Sequence, residues 1–228
     1  MINVHYTQAN LELFSPADLE STMTGWLAEL PESKRLQIER IRVFQARLCS
    51  LLGLQLLKIA MHQAGYNDFS LSRVLFEKNR KPHCPGFPDF NISHSHDLIA
   101  CAVAGHGNIG VDVEQVREIQ MGLDRIMSPA EQKAVQAEPQ RFFHFWTQKE
   151  AVIKADGTGG VWSMEEVSLS GLGACFRNRQ WYLTPLSLPG GYTGYFATDL
   201  PGQEYSVKNQ AMTILLPTLG IDSGVTNN

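Results

Sequence analysis

The chain has 228 residues, of which 43% are hydrophobic and 18% are charged. This is the composition of an ordinary globular protein, long enough for one large domain or two small ones. The formal net charge of −4 argues against a generally basic, nucleic-acid-binding surface, so an anionic ligand would need a local basic patch.

Targeting signals are not evident in the sequence. The first twenty residues carry Glu12, Asp18 and Glu20 among scattered apolar residues, without the basic start and apolar run of a signal peptide. No stretch of the sequence approaches the uninterrupted run of about eighteen apolar residues that a membrane span needs. The four cysteines show no CxxC pairing, which favours reduced thiols and a cytoplasmic location.

The first part of the chain is predicted to be a strand followed by two helices. Residues 2–6 alternate apolar and polar, as strand residues do. A Ser-Pro pair at 15–16 is a helix start, and a longer helix is predicted over 32–64. This second helix carries a basic patch, in which Arg47 sits where the helix is otherwise apolar. An arginine in such a place is usually held by an anion.

The next segment is predicted to combine strands with a polar loop. A strand is expected over 71–76, followed by a turn containing Lys81 and a loop with three prolines that leads into FNISHS at 90–95. The apolar run 98–104 and the segment 109–114 are predicted to pair as a hairpin. The polar residues would then lie at the entrance of that hairpin.

The segment 109–114, IGVDVE, places two carboxylates close together. On a strand, residues two apart point to the same side, so Asp112 and Glu114 project together while Val111 and Val113 pack inward. Neighbouring carboxylates repel each other unless a cation lies between them. The pair therefore indicates either a cation site or an exposed strand end.

The second half repeats the pattern of helix start and longer helix. Ser128-Pro129 nearly repeats the start at 15–16, which suggests two related halves that meet near 105–115. After residue 160 the chain is predicted to form strands. These are 161–169, 174–176, 181–183, 192–198 and 212–216.

The longer helix of this half lies in the stretch FFHFWTQKEAVIKADGTGG at 142–160. Its apolar residues form one arc, and Gly157 follows as a helix end. Glu150 and Lys154 are four residues apart on the flank of the arc, either as a surface ion pair or as a charged pair over a cleft. Lys149 falls inside the arc, where it must reach the edge or find a partner.

Together these residues indicate chemistry on a phosphate. The carboxylates of Asp112, Glu114 and Glu150 are oxygen ligands that suit Mg²⁺ or Mn²⁺. The sequence has neither a phosphate-binding glycine motif nor a covalent nucleophile motif. Metal-assisted attack by an outside nucleophile on a phosphate ester or anhydride is therefore predicted. The side chains available to hold phosphates are Arg47, Lys81, Ser93, His94 and Lys154.

Four segments of the chain resemble a known family, the phosphopantetheinyl transferases of the larger, two-lobed, surfactin-synthetase-activating type. They are Arg80-Lys81-Pro82, FNISHS at 90–95, GVDVE at 110–114 and FWTQKEAVIKADGTGG at 145–160. Their order and spacing also match, and the resemblance covers about residues 32–169. The chain differs from the family pattern at Arg80, where Gly is usual, and at His96, where most relatives have a small residue.

This resemblance implies an α+β fold with two pseudo-symmetric lobes, 1–108 and 109–217, and a flexible tail at 218–228. Each lobe would be a small, mainly antiparallel sheet packed on helices. The protein would be a monomer that binds coenzyme A between the lobes. It would transfer 4′-phosphopantetheine from coenzyme A to a serine of an apo acyl or peptidyl carrier protein and release 3′,5′-ADP, without nucleic acid or membrane as a partner.

The family's site residues can be carried over to matching positions. The resemblance implies that Asp112, Glu114 and Glu150 hold Mg²⁺, with Mn²⁺ as an alternative. Glu150 would also be the base, directly or through a water, and Lys154 would neutralise charge in the transition state. The nucleotide end of coenzyme A would be held by Arg47, Lys81, Ser93 and His94, with His94 at the 3′-phosphate.

Three other functions stay open on the sequence alone. A zinc protein could use a set of ligands without standard spacing, namely His83, Cys84, His94 and His96. A Mg²⁺-dependent nucleotide hydrolase would need the same carboxylates and cations. A binding module without activity would keep its ligand affinity in an Asp112→Ala variant.

Overall fold

The computed structural model describes residues 1–10, 12, 14–78, 80–119 and 126–215. Its helices are α1 (Pro16–Ala28), α2 (Glu32–Glu39), α3 (Phe44–Gln63), α4 (Pro129–Ala137), α5 (Arg141–Asp156) and α6 (Met212–Leu215). Its strands are β1 (Ile2–Gln8), β2 (Asp89–Ser95), β3 (Leu98–Ala104), β4 (Ile109–Gln115), β5 (Ser168–Ser170), β6 (Gly173–Phe176), β7 (Arg179–Pro185), β8 (Tyr192–Thr198) and β9 (Tyr205–Asn209). The predicted α+β class is confirmed.

The strands form two sheets, with the orders β2-β3-β1-β9 and β4-β8-β7-β6-β5. Neighbouring strands are antiparallel except for β1 and β9, which are parallel. In each half of the chain the first strand pairs with a later strand across intervening helices, β1 with β3 and β4 with β8. This repeat of topology agrees with the two related halves expected from the sequence.

The sheets and helices are stacked in layers because strand residues alternate between two faces. On β3, Ile99, Cys101 and Val103 pack into a core with α1 and α3. The alternate β3 residues pack with Val111 and Phe196 of the second sheet, and so form the core between the sheets. On the far side of the second sheet, α5 packs in a third core. The order of layers is therefore helices, first sheet, second sheet, α5.

The open edge of β4 is closed by side chains of β2. The backbone N–H groups of residues 109, 111, 113 and 115 donate, in that order, to Asp89, Asn91, Ser93 and Ser95 at 2.8, 2.9, 3.4 and 3.2 Å. Alternate residues of both strands take part, because the directions of side chains and of backbone N–H groups alternate along a strand. Buried backbone groups need such partners, so the ladder fixes β4 relative to β2.

Helix α5 lies directly on β4. A methyl group added to Gly110 would come within 2.0 Å of the Ala151 carbonyl oxygen, so only glycine permits this approach. The helix ends at Gly157, whose φ of 73° is left-handed, as the sequence predicted. Strand alternation places Asp112 and Glu114 on the same side of β4 as Gly110, and therefore toward α5.

Three local predictions were wrong. The helix expected over 32–64 is broken between α2 and α3, where the β-branched residues Ile41 and Val43 lower the helix propensity. Residues 71–73 are a 3₁₀ turn, and of the strand expected over 71–76 only a bridge from Leu75 to His83 remains. The strand expected over 161–169 is a 3₁₀ segment at 161–166 followed by β5.

The predicted hairpin of 98–104 with 109–114 was also wrong, because β3 and β4 belong to different sheets. The partner of β3 is β2, so the FNISHS residues form a strand rather than a loop. The two-residue turn that joins them has His96 at a left-handed φ of 56°, which explains why a small residue suits this position.

The last described part of the chain also differs from expectation. Residues 212–215 are the helix α6 rather than a strand, and Met212 and Leu215 bury one apolar face in the first core. Strand β9 comes from the second half but joins the first sheet. The lobe boundaries 1–108 and 109–217 stay a prediction, and the tail 218–228 lies outside the described residues. None of the described helices is long and apolar enough to cross a membrane.

Candidate active site

The predicted carboxylates lie around one cavity between β4, β2 and α5. The cavity has a volume of about 330 Å³, and Asp112, Glu114, Glu150 and Lys154 all line it. Asp112 and Glu114 arrive from alternate positions of β4, whereas Glu150 and Lys154 arrive from successive turns of α5. The packing of α5 on Gly110 therefore sets the distance between the two pairs.

A compact polar cluster surrounds Asp112. Its Oδ1 atom accepts from Lys154 Nζ at 2.6 Å and from Ser93 Oγ at 2.8 Å, and Lys154 Nζ lies 3.1 Å from Ser93 Oγ. Its Oδ2 atom is buried with no hydrogen-bond partner among the described residues. Such an atom is costly unless something else binds it.

Glu150 has a similar unpaired oxygen. Its Oε1 atom is buried without a partner in the described parts of the chain. Burial raises the pKa of its carboxyl group, the charge of Lys154 opposes that shift, and Asp112 and Glu114 add to it. Two unpaired carboxylate oxygens in one cavity are suited to a bound cation.

Glu114 is held from the side of β2. Its Oε2 atom accepts from Ser95 Oγ at 2.6 Å. Burial raises the pKa of its carboxyl group, the Ser95 hydrogen bond lowers it, and the charge of Asp112 raises it again. Ser95 was not among the residues predicted for the site, although the polar residues at every second position of 89–95 were a visible signal of strand β2.

A second cavity, of about 550 Å³, adjoins the first, since Glu150, Lys154 and Val161 line both. Its walls include Arg80, Lys81 and Asn91, together with the segment 157–162 that follows α5. Trp162 stands at this cavity with 79% of its surface exposed. The residues that line the two cavities therefore run from the carboxylates to the Arg80-Lys81-Pro82 turn.

Lys81 is already paired in this structure. Its ammonium group binds Asp89 and donates to the carbonyl oxygen of Ile109 at 2.6 Å. Burial lowers its pKa, and Asp89 opposes that shift. Asp89 also accepts from the Ile109 N–H, so Lys81 fixes the start of β4 while its charge lies in the cavity wall.

Two of the three remaining predicted nucleotide contacts line the first cavity, and the third does not. Ser93 and His94 line the first cavity. The His94 side chain is partly open to solvent. The loss of water around the rest of its ring lowers its pKa, and the charge of Lys154 lowers it further. Arg47 lines neither cavity. Its buried Nε atom has no partner among the described residues, and its guanidinium lies 5.8 Å from the ring centre of Phe44.

The described residues contain no group of three or more His, Cys, Asp or Glu side chains already spaced to hold a metal ion. This applies to the zinc ligands considered above, which are not gathered, and Cys84 instead donates to the Arg73 carbonyl oxygen. The three carboxylates of the first cavity are likewise not spaced to hold a metal ion in this structure. Their donor chemistry and two unpaired oxygens fit a hard cation, but Lys154 now occupies the Asp112 oxygen.

One segment of this site is similar to a known family. Residues 108–183, which include β4 and α5, match the family model of the 4′-phosphopantetheinyl transferase superfamily. Over this segment the chain is similar to that superfamily. A 4′-phosphopantetheinyl transferase of Bacillus pumilus, psf-1, is 32% identical over 136 residues, covering 55% of this chain and 57% of the relative.

Two relatives from Bacillus subtilis show similar likeness. One 4′-phosphopantetheinyl transferase is 32% identical over 142 residues, covering 58% of this chain and 62% of its own length. The transferase Sfp of strain 168 is 32% identical over 118 residues, covering 48% of this chain and 52% of its own length. The chain thus spans between half and two thirds of the length of these relatives. The match to Sfp confirms the resemblance to the larger type of the family.

Proposed function

We propose that the protein transfers the 4′-phosphopantetheine arm of coenzyme A to a serine of an apo carrier protein, with Mg²⁺, and releases 3′,5′-ADP. The observation that carries this proposal is the meeting of three carboxylates and Lys154 at one cavity. The similarity of residues 108–183 to the 4′-phosphopantetheinyl transferase superfamily supports coenzyme A as the substrate. The carrier's own hydroxyl would be the nucleophile, in accord with the lack of a nucleophile motif in the sequence.

Mg²⁺ would be held by Asp112, Glu114 and Glu150, which line the same cavity. Asp112 and Glu150 each have one buried oxygen without a partner among the described residues. The ion would neutralise part of the charge of the coenzyme A diphosphate. Mn²⁺ offers the same hard-cation chemistry and could replace it. The close approach of α5 to β4 at Gly110 would set the distance between these carboxylates.

Lys154 would serve the departing diphosphate. Its ammonium group is bound to Asp112 and Ser93. Were the Asp112 carboxylate to hold a cation, the Lys154 ammonium group would be free to turn toward the phosphates. A positive charge placed where negative charge develops lowers the barrier to transfer.

Glu150 would accept the proton of the carrier serine, directly or through a water. It lines both cavities, so it lies between the proposed metal position and the space toward the 157–162 segment. A base must come within hydrogen-bond reach of the proton that it removes. Glu150 can do this only if the serine enters through the shared part of the two cavities.

The nucleotide end would occupy the cavity walls formed by β2 and the Arg80-Lys81-Pro82 turn. His94 is exposed at the first cavity, where it could donate to the 3′-phosphate. Lys81 would contribute charge from its fixed position beside Asp89. For Ser93 the contact with the nucleotide stays a prediction, since its hydroxyl now binds Asp112. Arg47 also stays a prediction, although its unpaired buried Nε is available.

The test is a transfer assay read by intact mass. Coenzyme A, Mg²⁺ and the protein are mixed with apo-carriers of the fatty-acid, polyketide and peptide-synthetase types. A mass gain of one phosphopantetheine on one of them is expected, with 3′,5′-ADP released only when a carrier is present. Release of the nucleotide without any carrier would instead indicate a hydrolase.

We expect Glu150→Gln to bind coenzyme A and to lose about 10²- to 10⁴-fold in turnover, because the base is removed and a metal ligand weakened. Glu138→Gln is the control, since Glu138 is exposed and pairs only with Arg141 in the described structure. Unchanged turnover in Glu150→Gln would exclude Glu150 from the mechanism. A monomer is also proposed, which sedimentation can check, and the cytoplasmic location stays a prediction.

A further inference from the structure

The ladder between β2 and β4 does more than join the two sheets, because two of its members also bind site carboxylates. Ser93 binds the Asp112 carboxylate and Ser95 binds the Glu114 carboxylate. We propose that Ser95 is a positioning residue, whose hydroxyl orients Glu114 so that its free oxygen faces the cavity and a bound divalent cation. This inference rests on the proposed metal site of the transferase.

The direction of the Ser95 hydrogen bonds follows from counting protons. A serine hydroxyl has one proton to donate and two lone pairs that accept. Ser95 Oγ accepts from the Gln115 N–H at 3.2 Å. Its single proton is therefore free for Glu114 Oε2, 2.6 Å away. One oxygen of Glu114 is held in this way, and the other is left for a ligand.

Ser93 shows the same arrangement one step along the strand. It accepts from the Val113 N–H at 3.4 Å and donates to Asp112 Oδ1 at 2.8 Å. The other oxygen of Asp112 is the buried atom without a partner. In both cases the serine takes one carboxylate oxygen and leaves the second one free.

Ser95 matters more to its carboxylate than Ser93 does. Asp112 is also held by Lys154, so it would keep this partner if Ser93 were lost. Glu114 forms no ion pair with any residue that the structure describes, and Ser95 is its one hydrogen-bond donor there. Glu114 is also only partly buried, near the end of β4. A flexible side chain in such a position needs its hydrogen bond to stay in one orientation.

The test measures Mn²⁺ affinity directly, by calorimetric titration in the presence of coenzyme A. Loss of a hydrogen bond to a ligand typically weakens metal binding 10- to 100-fold, so we expect Ser95→Ala to bind Mn²⁺ about 10-fold more weakly than the unaltered protein. Ser95→Thr keeps the hydroxyl and should bind within about 3-fold of it. Ser206→Ala is the matched control, because Ser206 Oγ donates to Asn3 on the same sheet, away from the site.

A merely structural role of Ser95 would give a different result. Its loss also leaves the Gln115 N–H without a partner, so urea midpoints are recorded for every variant. A lower midpoint with unchanged Mn²⁺ affinity would overturn the inference, and so would a loss in Ser95→Thr equal to that in Ser95→Ala. If Ser95→Ala does not fold, Ser95→Cys replaces it, as a near-isosteric side chain with a weak donor.

The same titration separates this inference from the proposed activity. If the protein binds Mn²⁺ with coenzyme A but modifies no carrier, the proposed transfer is wrong. The Mn²⁺ affinities of the Ser95 variants still test the role of Ser95 in that case. If the unaltered protein transfers phosphopantetheine but binds no Mn²⁺, the activity stands and the role of Ser95 is overturned. In the transfer assay, Ser95→Ala should need about 10-fold more Mg²⁺ and recover its rate at saturating Mg²⁺.

Discussion

At the scale of single residues, Lys149 shows how a buried charge is accommodated. The sequence placed it inside the apolar arc of α5 and named no partner. In the structure its ammonium group lies 2.8 Å from Glu131 and donates to the Ile126 carbonyl oxygen at 2.9 Å. The exposed side-chain fractions of Lys149 and Glu131 are 2% and 9%, so water cannot replace either partner. The pair therefore ties α5 to the start of α4.

We predict that Lys149→Met lowers the free energy of unfolding by about 3 to 5 kcal/mol, because it leaves the Glu131 carboxylate buried without its cation. Urea unfolding at neutral pH measures the change. Arg141→Met is the control, since Arg141 and its partner Glu138 are each more than half exposed and should contribute less than about 1 kcal/mol. Equal losses in the two variants would contradict this account.

Residue patterns predicted the residues of the candidate site better than the residues that hold them in place. The sequence selected Asp112, Glu114, Glu150 and Lys154, and the structure places all four around one cavity. Their roles stay predictions. Arg47 was selected because a cation on an apolar face is unusual, yet it lies outside the two cavities. The supports, such as Asp89 for Lys81 and Ser95 for Glu114, depend on the contact of β2 with β4, which sequence spacing alone does not give.

At the scale of elements, the site depends on how closely α5 approaches β4. Gly110 makes this approach possible, because its missing side chain leaves room for the backbone of α5 around Ala151 and Ala155. The same strand carries Asp112, and the same helix carries Glu150 and Lys154. Any change in the spacing of the two elements would therefore also move the carboxylates apart.

We predict that Gly110→Ala destabilises the protein by about 1 to 3 kcal/mol and weakens Mn²⁺ binding, because the new methyl group pushes α5 away from β4. Thermal unfolding and Mn²⁺ titration measure the two effects. Gly190→Ala is the control, since an added methyl group there meets no atom within 4 Å and its φ is not left-handed. Normal stability and metal affinity in Gly110→Ala would contradict the proposed close packing.

Local patterns predicted elements better than their partners. Helices α1 and α4 begin at the predicted Ser-Pro starts, and β8 matches its predicted range. The pairing of β3 with β4 was wrong because periodicity shows which residues share a face but not which strand lies alongside. The three prolines before residues 90–95 predict a loop, whereas the polar residues of β2 alternate as strand residues do.

At the scale of the whole molecule, the two ends of the described chain meet in the first sheet. β1 pairs with β9 in parallel, and Gln210 lies against His5, with 2.8 Å between the Gln210 amide nitrogen and His5 Nδ1. His5 is buried, and its Nε2 atom has no partner among the described residues. Burial, with a smaller contribution from Lys208, lowers the pKa of His5 to about 4.

This pKa predicts how stability depends on pH. In the unfolded chain the histidine has a pKa of about 6.5, so below that pH the unfolded state binds a proton that the folded state excludes. Stability should therefore fall by about 3 kcal/mol as the pH drops from 7 to 4, and the contribution of His5 should level off only when the pH is well below the folded-state pKa of about 4. Urea midpoints across this range should depend less on pH in His5→Gln. His106→Gln, at an exposed position, should leave the slope unchanged, and equal slopes in both variants would contradict the assignment to His5.

We propose above that Asp112, Glu114 and Glu150 hold one divalent cation against the diphosphate of coenzyme A. The most direct measurement is a crystal structure of the protein with coenzyme A and Mn²⁺, with the ion located from its anomalous scattering. We predict one strong anomalous peak about 2.1 Å from an oxygen of each carboxylate, with Lys154 turned from Asp112 toward the phosphates. A well-ordered coenzyme A with no peak at these carboxylates, or with the ion held by other residues, would contradict it.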